Sequence, residues 1–270
     1  MKNEFDLDGK IAVVTGGYGV LGGSMAQGLA AAGAKIAVLG RNRSAAEAKA
    51  NQLRSFGGET MALEADVLDA AQLRVARDEL VKRWGTIDIL VNAAGGNVAR
   101  ARTDSIPVFD MPIEAFDEVL ALNLKGSVIP TLVFGELMAE RRSGAIVNIS
   151  SMAAHQALSG VLGYSVAKAG IDNFTKWMAV EMARKYGDGI RVNAVAPGFF
   201  ISTQNRAVLM NSDGDYTSRA QMIIAKTPMG RFGAPEELNG VVQWLCSDAS
   251  SFVTGTVIPV DGGFSAFSGI

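Results

Sequence analysis

The stretch Ile11-Ala12-Val13-Val14-Thr15-Gly16-Gly17-Tyr18-Gly19-Val20-Leu21-Gly22-Gly23 decides the fold. Four apolar residues in succession, without polar alternation, read as a strand covered on both faces. The glycines behind it let the chain turn sharply and let backbone N–H groups approach a phosphate. A helix expected from Ser24 to Ala32 would set its positive N-terminal end against that charge. A glycine-rich turn also serves as a plain strand-to-helix connection. Its place after the first strand of an alternating pattern favours the nucleotide reading.

Outward from this turn, apolar runs of strand length recur at Ile36–Leu39, Met61–Leu63, Ile87–Val91, Ala145–Ile149, Val192–Ala196 and Val257–Val260. Helical stretches lie between them. Ser44-Ala45-Ala46-Glu47 has the form of a capping box, with Gly57-Gly58 as the stop. Asp69 opens a helix that runs to Gly85, and Pro235 suits the first turn of another that leads to Leu245. Strand–helix alternation means right-handed βαβ units. The expectation is an α/β doubly wound Rossmann fold, with a seven-stranded parallel sheet between two helix layers in a single domain over 1–270. The segment 199–230 is polar and turn-rich, and is expected to be a substrate lid.

Composition removes several function classes. With 25 basic and 27 acidic residues the net charge is −2, which offers no basic face for nucleic acid. One cysteine, Cys246, allows no internal disulfide, and with one histidine, His155, it makes no Cys/His zinc cluster. The charge-free run Ser143–Ala167 is long enough to span a bilayer, yet its Asn148, His155, Gln156 and serines favour burial in a soluble core. The acidic N-terminus is not a secretory signal. A cytoplasmic protein without membrane partners is expected.

The second strand ends Leu39-Gly40-Arg41-Asn42-Arg43. An acidic residue there would bind the adenosine ribose hydroxyls; Gly40 with two arginines nearby, Arg41 and Arg43, instead suits a 2′-phosphate, so NADP(H) is favoured over NAD(H), with Arg41 and Asn42 as expected cofactor contacts. Asp66-Val67, past the third strand, would hold the adenine edge, or Asp66 caps a turn.

From Asn92-Ala93-Ala94-Gly95 onward the chain resembles the short-chain dehydrogenase/reductase superfamily, and the resemblance covers its whole length. Thr15-Gly16…Gly22 matches the family's cofactor turn, except that Val20 stands where the middle glycine is usual. Asn123, Ser151, Tyr164 and Lys168 match the active-site asparagine, serine, tyrosine and lysine at the family's spacing. Pro197-Gly198, Phe200 and Ser202 lie in the segment that holds the nicotinamide carboxamide, and Val260-Asp261-Gly262-Gly263 resembles the terminal motif. The resemblance implies an oxidoreductase that is a homotetramer. It implies cofactor contacts at Gly16, Tyr18, Val20, Leu21, Asn92, Ala93, Tyr164 and Lys168 as well. A closer resemblance, through Gln204-Asn205-Arg206, Leu209–Gly214, Thr227–Gly233 and the tail Gly263–Gly269, is to the D-mannonate oxidoreductase (fructuronate reductase) branch. Gluconate 5-dehydrogenases, polyol dehydrogenases and 3-oxoacyl-type reductases are the alternatives, and a non-catalytic nucleotide sensor is the rival of another class.

The chemistry follows from the residues. Tyr164 and Lys168 lie one helical turn apart on one face. A phenol has a pKa of about 10, and a cation roughly 4 Å away stabilises its anion by up to about 4 kcal/mol. Lys168, with an oxidised nicotinamide, would therefore bring Tyr164 into range as the acid/base. Ser151 would stabilise the oxyanion. From the family, Asn123 would hold a relay water and Lys168 the cofactor ribose. A sugar-acid substrate requires cations or donors for its carboxylate, with Asn97, Arg100, Arg102, His155, Asn205 and Arg206 as candidates.

Overall fold

The computed structural model describes residues 3–104, 106–203 and 205–269; Gln204, part of the closer resemblance, lies outside them. Strands β1 (Ile11–Thr15), β2 (Lys35–Gly40), β3 (Thr60–Glu64), β4 (Ile89–Asn92), β5 (Gly144–Ile149), β6 (Ile190–Pro197) and β7 (Val257–Val260) form one sheet. Their order is β3-β2-β1-β4-β5-β6-β7 and every pairing is parallel. Period-two geometry splits each strand between two cores. Ala12, Val14, Ile36 and Val38 pack with Met25, Leu29 and Leu245 on one face. Val13, Ala37 and Leu39 pack with Leu73, Leu80, Phe134 and Met138 on the other. This two-sided cover explains the unbroken apolar runs.

The helices are α1 (Val20–Ala31), α2 (Arg43–Leu53), α3 (Ala70–Trp84), α4 (Ile113–Leu120), α5 (Gly126–Arg141), α6 (Leu162–Tyr186), α7 (Arg206–Leu209), α8 (Ser218–Lys226) and α9 (Asn239–Cys246). Three starts differ from expectation. α1 begins at Val20, directly on the glycine turn. The cap of α2 is Asn42, whose Oδ1 accepts from Ala45 N at 2.9 Å, while Glu47 pairs with Arg43 instead of closing a box. Pro235 opens a 3₁₀ turn, Pro235–Leu238, before α9. Asp69 caps α3 as expected, accepting from Ala71 N and Gln72 N.

The charge-free run Ser143–Ala167 is not one helix; it divides into β5, a loop and the start of α6. The stretch Ile113–Arg141 is long and apolar enough to cross a membrane, and half of its apolar window is buried inside the fold. Its Val133, Phe134 and Met138 belong to the second core. The segment 199–230 carries α7 and α8 around a small core of Leu209, Ala220, Ile223 and Phe232.

The strand order reverses between β1 and β4, and Thr15 is level with both Leu39 and Asn92. Ligands of open α/β sheets bind outside the carboxyl ends of the strands at such a reversal.

Candidate active site

A cleft of about 380 Å³ opens there, lined by the glycine turn, Arg41, Asp66, Val67, Ala93, Tyr164, Lys168 and Ser202. Gly16 has φ +62°, and a Cβ on it would stand 2.9 Å from Ala94 Cα. A Cβ on Gly22 would collide with Gly16 O. No side chain caps α1, unlike α2 and α3, and Val20 and Leu21 of its first turn line the cleft. Uncapped N–H groups at a helix N-terminus suit a pyrophosphate, so the cleft fits a dinucleotide.

Thr15, expected only as part of the turn motif, ties the cleft's two walls. Its Oγ1 accepts from Ala93 N and Ala94 N, both at 3.1 Å. A hydroxyl ending an otherwise apolar buried strand was the available signal. Tyr18 lies across Gly40 so closely that a Cβ on Gly40 would strike its ring. Arg41 is 72% exposed and stands 4.0 Å from Asp66. Asp66 also caps its own turn, accepting from Leu68 N at 2.9 Å. Two expected cofactor contacts lie elsewhere. Asn42 is spent on α2. Asn92 is buried beneath the cleft, donating to Thr131 at 2.8 Å and Asn148 at 2.9 Å.

A second cavity of about 260 Å³ adjoins the cleft, and both are bounded by Leu21, Gly96, Ile149, Tyr164 and Ser202. Tyr164 therefore stands at the junction. α6 places the Lys168 ammonium 5.5 Å from the centre of the Tyr164 ring, and Nζ donates to Ile149 O at 2.7 Å. Ser151 lines the same cavity as the phenol, and its Oγ accepts from Ala153 N at 3.1 Å. Burial acts on both groups of this pair. Burial raises the Tyr164 pKa, with the Ser151 hydroxyl opposing. Burial lowers Lys168 to about 8, with Asp172 opposing. Desolvation thus acts against the charged form of each group.

Asn123 sits in a π turn, Ala121–Lys125, between α4 and α5. Its Nδ2 donates to Gly96 O at 2.7 Å and Val119 O at 2.9 Å, and its Oδ1 accepts from Gly96 N at 3.0 Å. One amide hydrogen holds the Gly96 loop and the other is returned to α4, so the side chain has none to give a relay water.

Residues 19–265 match the family model described as enoyl-(acyl carrier protein) reductase. An uncharacterized oxidoreductase of Bacillus subtilis, UxuB, is 45% identical over 98% of both chains. The chain belongs to the short-chain dehydrogenase/reductase superfamily. A solved Haemophilus influenzae structure with bound NAD, provisionally named a D-mannonate oxidoreductase, is 42% identical over 98% of each chain, with a TM-score of 0.92. A gluconate 5-dehydrogenase from Burkholderia cenocepacia, solved with NADP and tartrate, is 34% identical over 98% of each chain, with a TM-score of 0.88.

In this short-chain dehydrogenase/reductase the second cavity is bounded by Ser151, Pro197, Gly198, Phe200 and Ser202, so Pro197, Gly198 and Phe200 border it instead of the dinucleotide cleft. Of the expected substrate contacts, Asn97 and Arg102 line it. Asn205 lines it too, but its amide is spent on Ser202 N at 2.7 Å and Phe200 O at 2.8 Å. Arg100 points away to Glu118 at 3.0 Å, and Arg206 is exposed outside the cavity. His155 lines neither cavity; its Nε2 lies 3.1 Å from Asp172 Oδ2, whose other oxygen accepts from Ser150. Arg219, on α8, lines the cavity and was not foreseen. Nothing local in the sequence distinguishes it from a solvated helix arginine.

Proposed function

We propose that the enzyme interconverts a secondary alcohol and a ketone on a sugar acid with NAD(P)(H), the favoured pair being D-mannonate and D-fructuronate. One observation carries the reading: a phenol that shares its cavity with Ser151, one helical turn from a buried ammonium, at the junction of a dinucleotide cleft and a small cavity. The sugar-acid class draws support from the Haemophilus and Burkholderia structures. The Burkholderia protein equally favours a gluconate 5-dehydrogenase as the second reading.

The bound dinucleotide supplies hydride transfer and, when oxidised, a positive charge near the phenol. Ser151 donates to the substrate oxygen as it gains negative charge. Tyr164, its pKa raised by burial, is a protonated phenol at neutral pH. That state suits it to give the oxygen its proton during reduction. In oxidation the phenol first gives up that proton to solvent, the Lys168 ammonium and the oxidised nicotinamide favouring its anion, and the phenolate then takes the proton of the alcohol. Lys168 orients the phenol and binds the cofactor ribose, and Asn123 positions the Gly96 loop. Arg41, with no carboxylate at the end of β2, favours NADP(H). We further place the enzyme in the cytoplasm as a homotetramer, apart from nucleic acid and membrane, with 199–230 as a lid over the substrate.

The test is Tyr164→Phe assayed on a sugar-acid panel with both reduced cofactors. Turnover should fall by about 10²-fold or more while dinucleotide binding persists. Undiminished turnover would end the assignment.

A further inference from the structure

The 260 Å³ cavity has a lopsided charge. Arg102, from the loop after β4, and Arg219, from α8, are its lining cations among the described residues. Arg102 is committed to Asp104: Nε lies 2.6 Å and Nη2 2.5 Å from Oδ2. Arg219 is held differently. Its Nη1 donates to Ser159 Oγ and its Nη2 to Ser159 O, both at 3.1 Å. Asp104 Oδ1 is 3.7 Å from Arg219 Nη1, beyond a hydrogen bond. Two guanidiniums thus share one carboxylate, and the group carries one uncompensated positive charge.

The group is built, not adventitious. Gly160 has φ +78°, and a side chain there would strike the Asp104 carboxylate. Thr103 N donates to Gly160 O at 3.2 Å, which pins the Arg102 loop to the loop before α6. Arg219 adds the third element. All three side chains are about 30% exposed, so the ionic contacts are partly desolvated. Much of the remaining lining is apolar, with Phe199, Leu209 and Ile223.

Five N–H donors belong to a guanidinium, in a fork that matches a carboxylate. Arg219 spends two on Ser159, and three remain. We infer that Arg219, assisted by Arg102, is the carboxylate-binding residue of the substrate cavity, so that α8 carries the group distinguishing sugar acids from neutral sugars. This rests on the sugar-acid reading above. It also gives 199–230 a physical reason to close: a carboxylate on Arg219 and Arg102 bridges α8 to the loop after β4.

The test compares a sugar acid with its neutral amide in the full-length enzyme, for wild type, Arg219→Met and Arg219→Lys. In Arg219→Met the ratio of kcat/KM for acid over amide should fall roughly 10- to 100-fold, chiefly through KM for the acid. Arg219→Lys should recover part of that ratio, since it keeps the charge and loses the fork. An unchanged ratio in Arg219→Met, or equal losses on acid and amide, overturns the assignment of Arg219 alone. A wild-type enzyme that turns over no sugar acid overturns this inference together with the proposed function.

Discussion

The buried ammonium of Lys168 makes the stability of the cofactor-free enzyme depend on pH in a calculable way. Its pKa is about 8 in the folded chain, against an ordinary 10.5. Between those values the native state binds fewer protons than the unfolded state, so stability rises with pH. Each pH unit in the upper part of that window is worth up to about 1.36 kcal/mol. From pH 7 to pH 9, allowing for partial titration near 8, the gain is roughly 1 kcal/mol. Lys168→Met removes the titrating group. The stability difference between wild type and variant should therefore shift in favour of wild type by about 1 kcal/mol over that range. Cys246 is remote from the substitution and cancels in the difference, while Tyr164, raised above its ordinary 10, stays protonated over this range in both proteins. Urea unfolding at pH 7, 8 and 9, at one protein concentration, reads the effect. A difference independent of pH would refute the reasoning, because it would mean that the ammonium is solvated and ordinary.

Other predictions follow from the cofactor cleft. Arg41→Ala should lower the preference for NADPH over NADH about tenfold, at the low end for a charged hydrogen bond because the side chain is so exposed; fluorescence titration with each dinucleotide measures it. Gly40→Ala should drive the Tyr18 ring off β2. As that ring is already 37% exposed, the stability change should stay below about 1 kcal/mol by thermal melt, while dinucleotide affinity falls. Adding Tyr18→Ala removes the clash, so a double-mutant cycle should show strong coupling between the two sites; additive effects would count against the contact.

Several differences between sequence expectation and structure have one cause. Ser44 and Asn42 are both good caps, two residues apart. The end of β2, where Gly40 pairs with Glu64, leaves Asn42 at the helix entrance. His155 follows Ser151 by four residues and was expected to face the substrate. The loop before α6 instead turns it onto Asp172. Asn205 and the amide nitrogen of Asn92 carry the right chemistry for ligand contacts, but neighbouring strands and turns take those hydrogen bonds first, while Asn92 Oδ1 is buried without a partner among the described residues. Arg219 stands 55 positions beyond Tyr164 in the chain and reaches the same cavity only because α8 folds across it.

From its residues alone the chain determined the strands, the limits of α3, the glycine turn and a phenol one turn from an ammonium. Each of these depends on spacing within a few residues, which dihedral geometry sets. The tertiary structure decided which polar groups still have donors to spare, how far burial moves Tyr164 and Lys168, and which arginines face the cavity. Those depend on surfaces removed from water by segments distant in sequence, and desolvation has no local code.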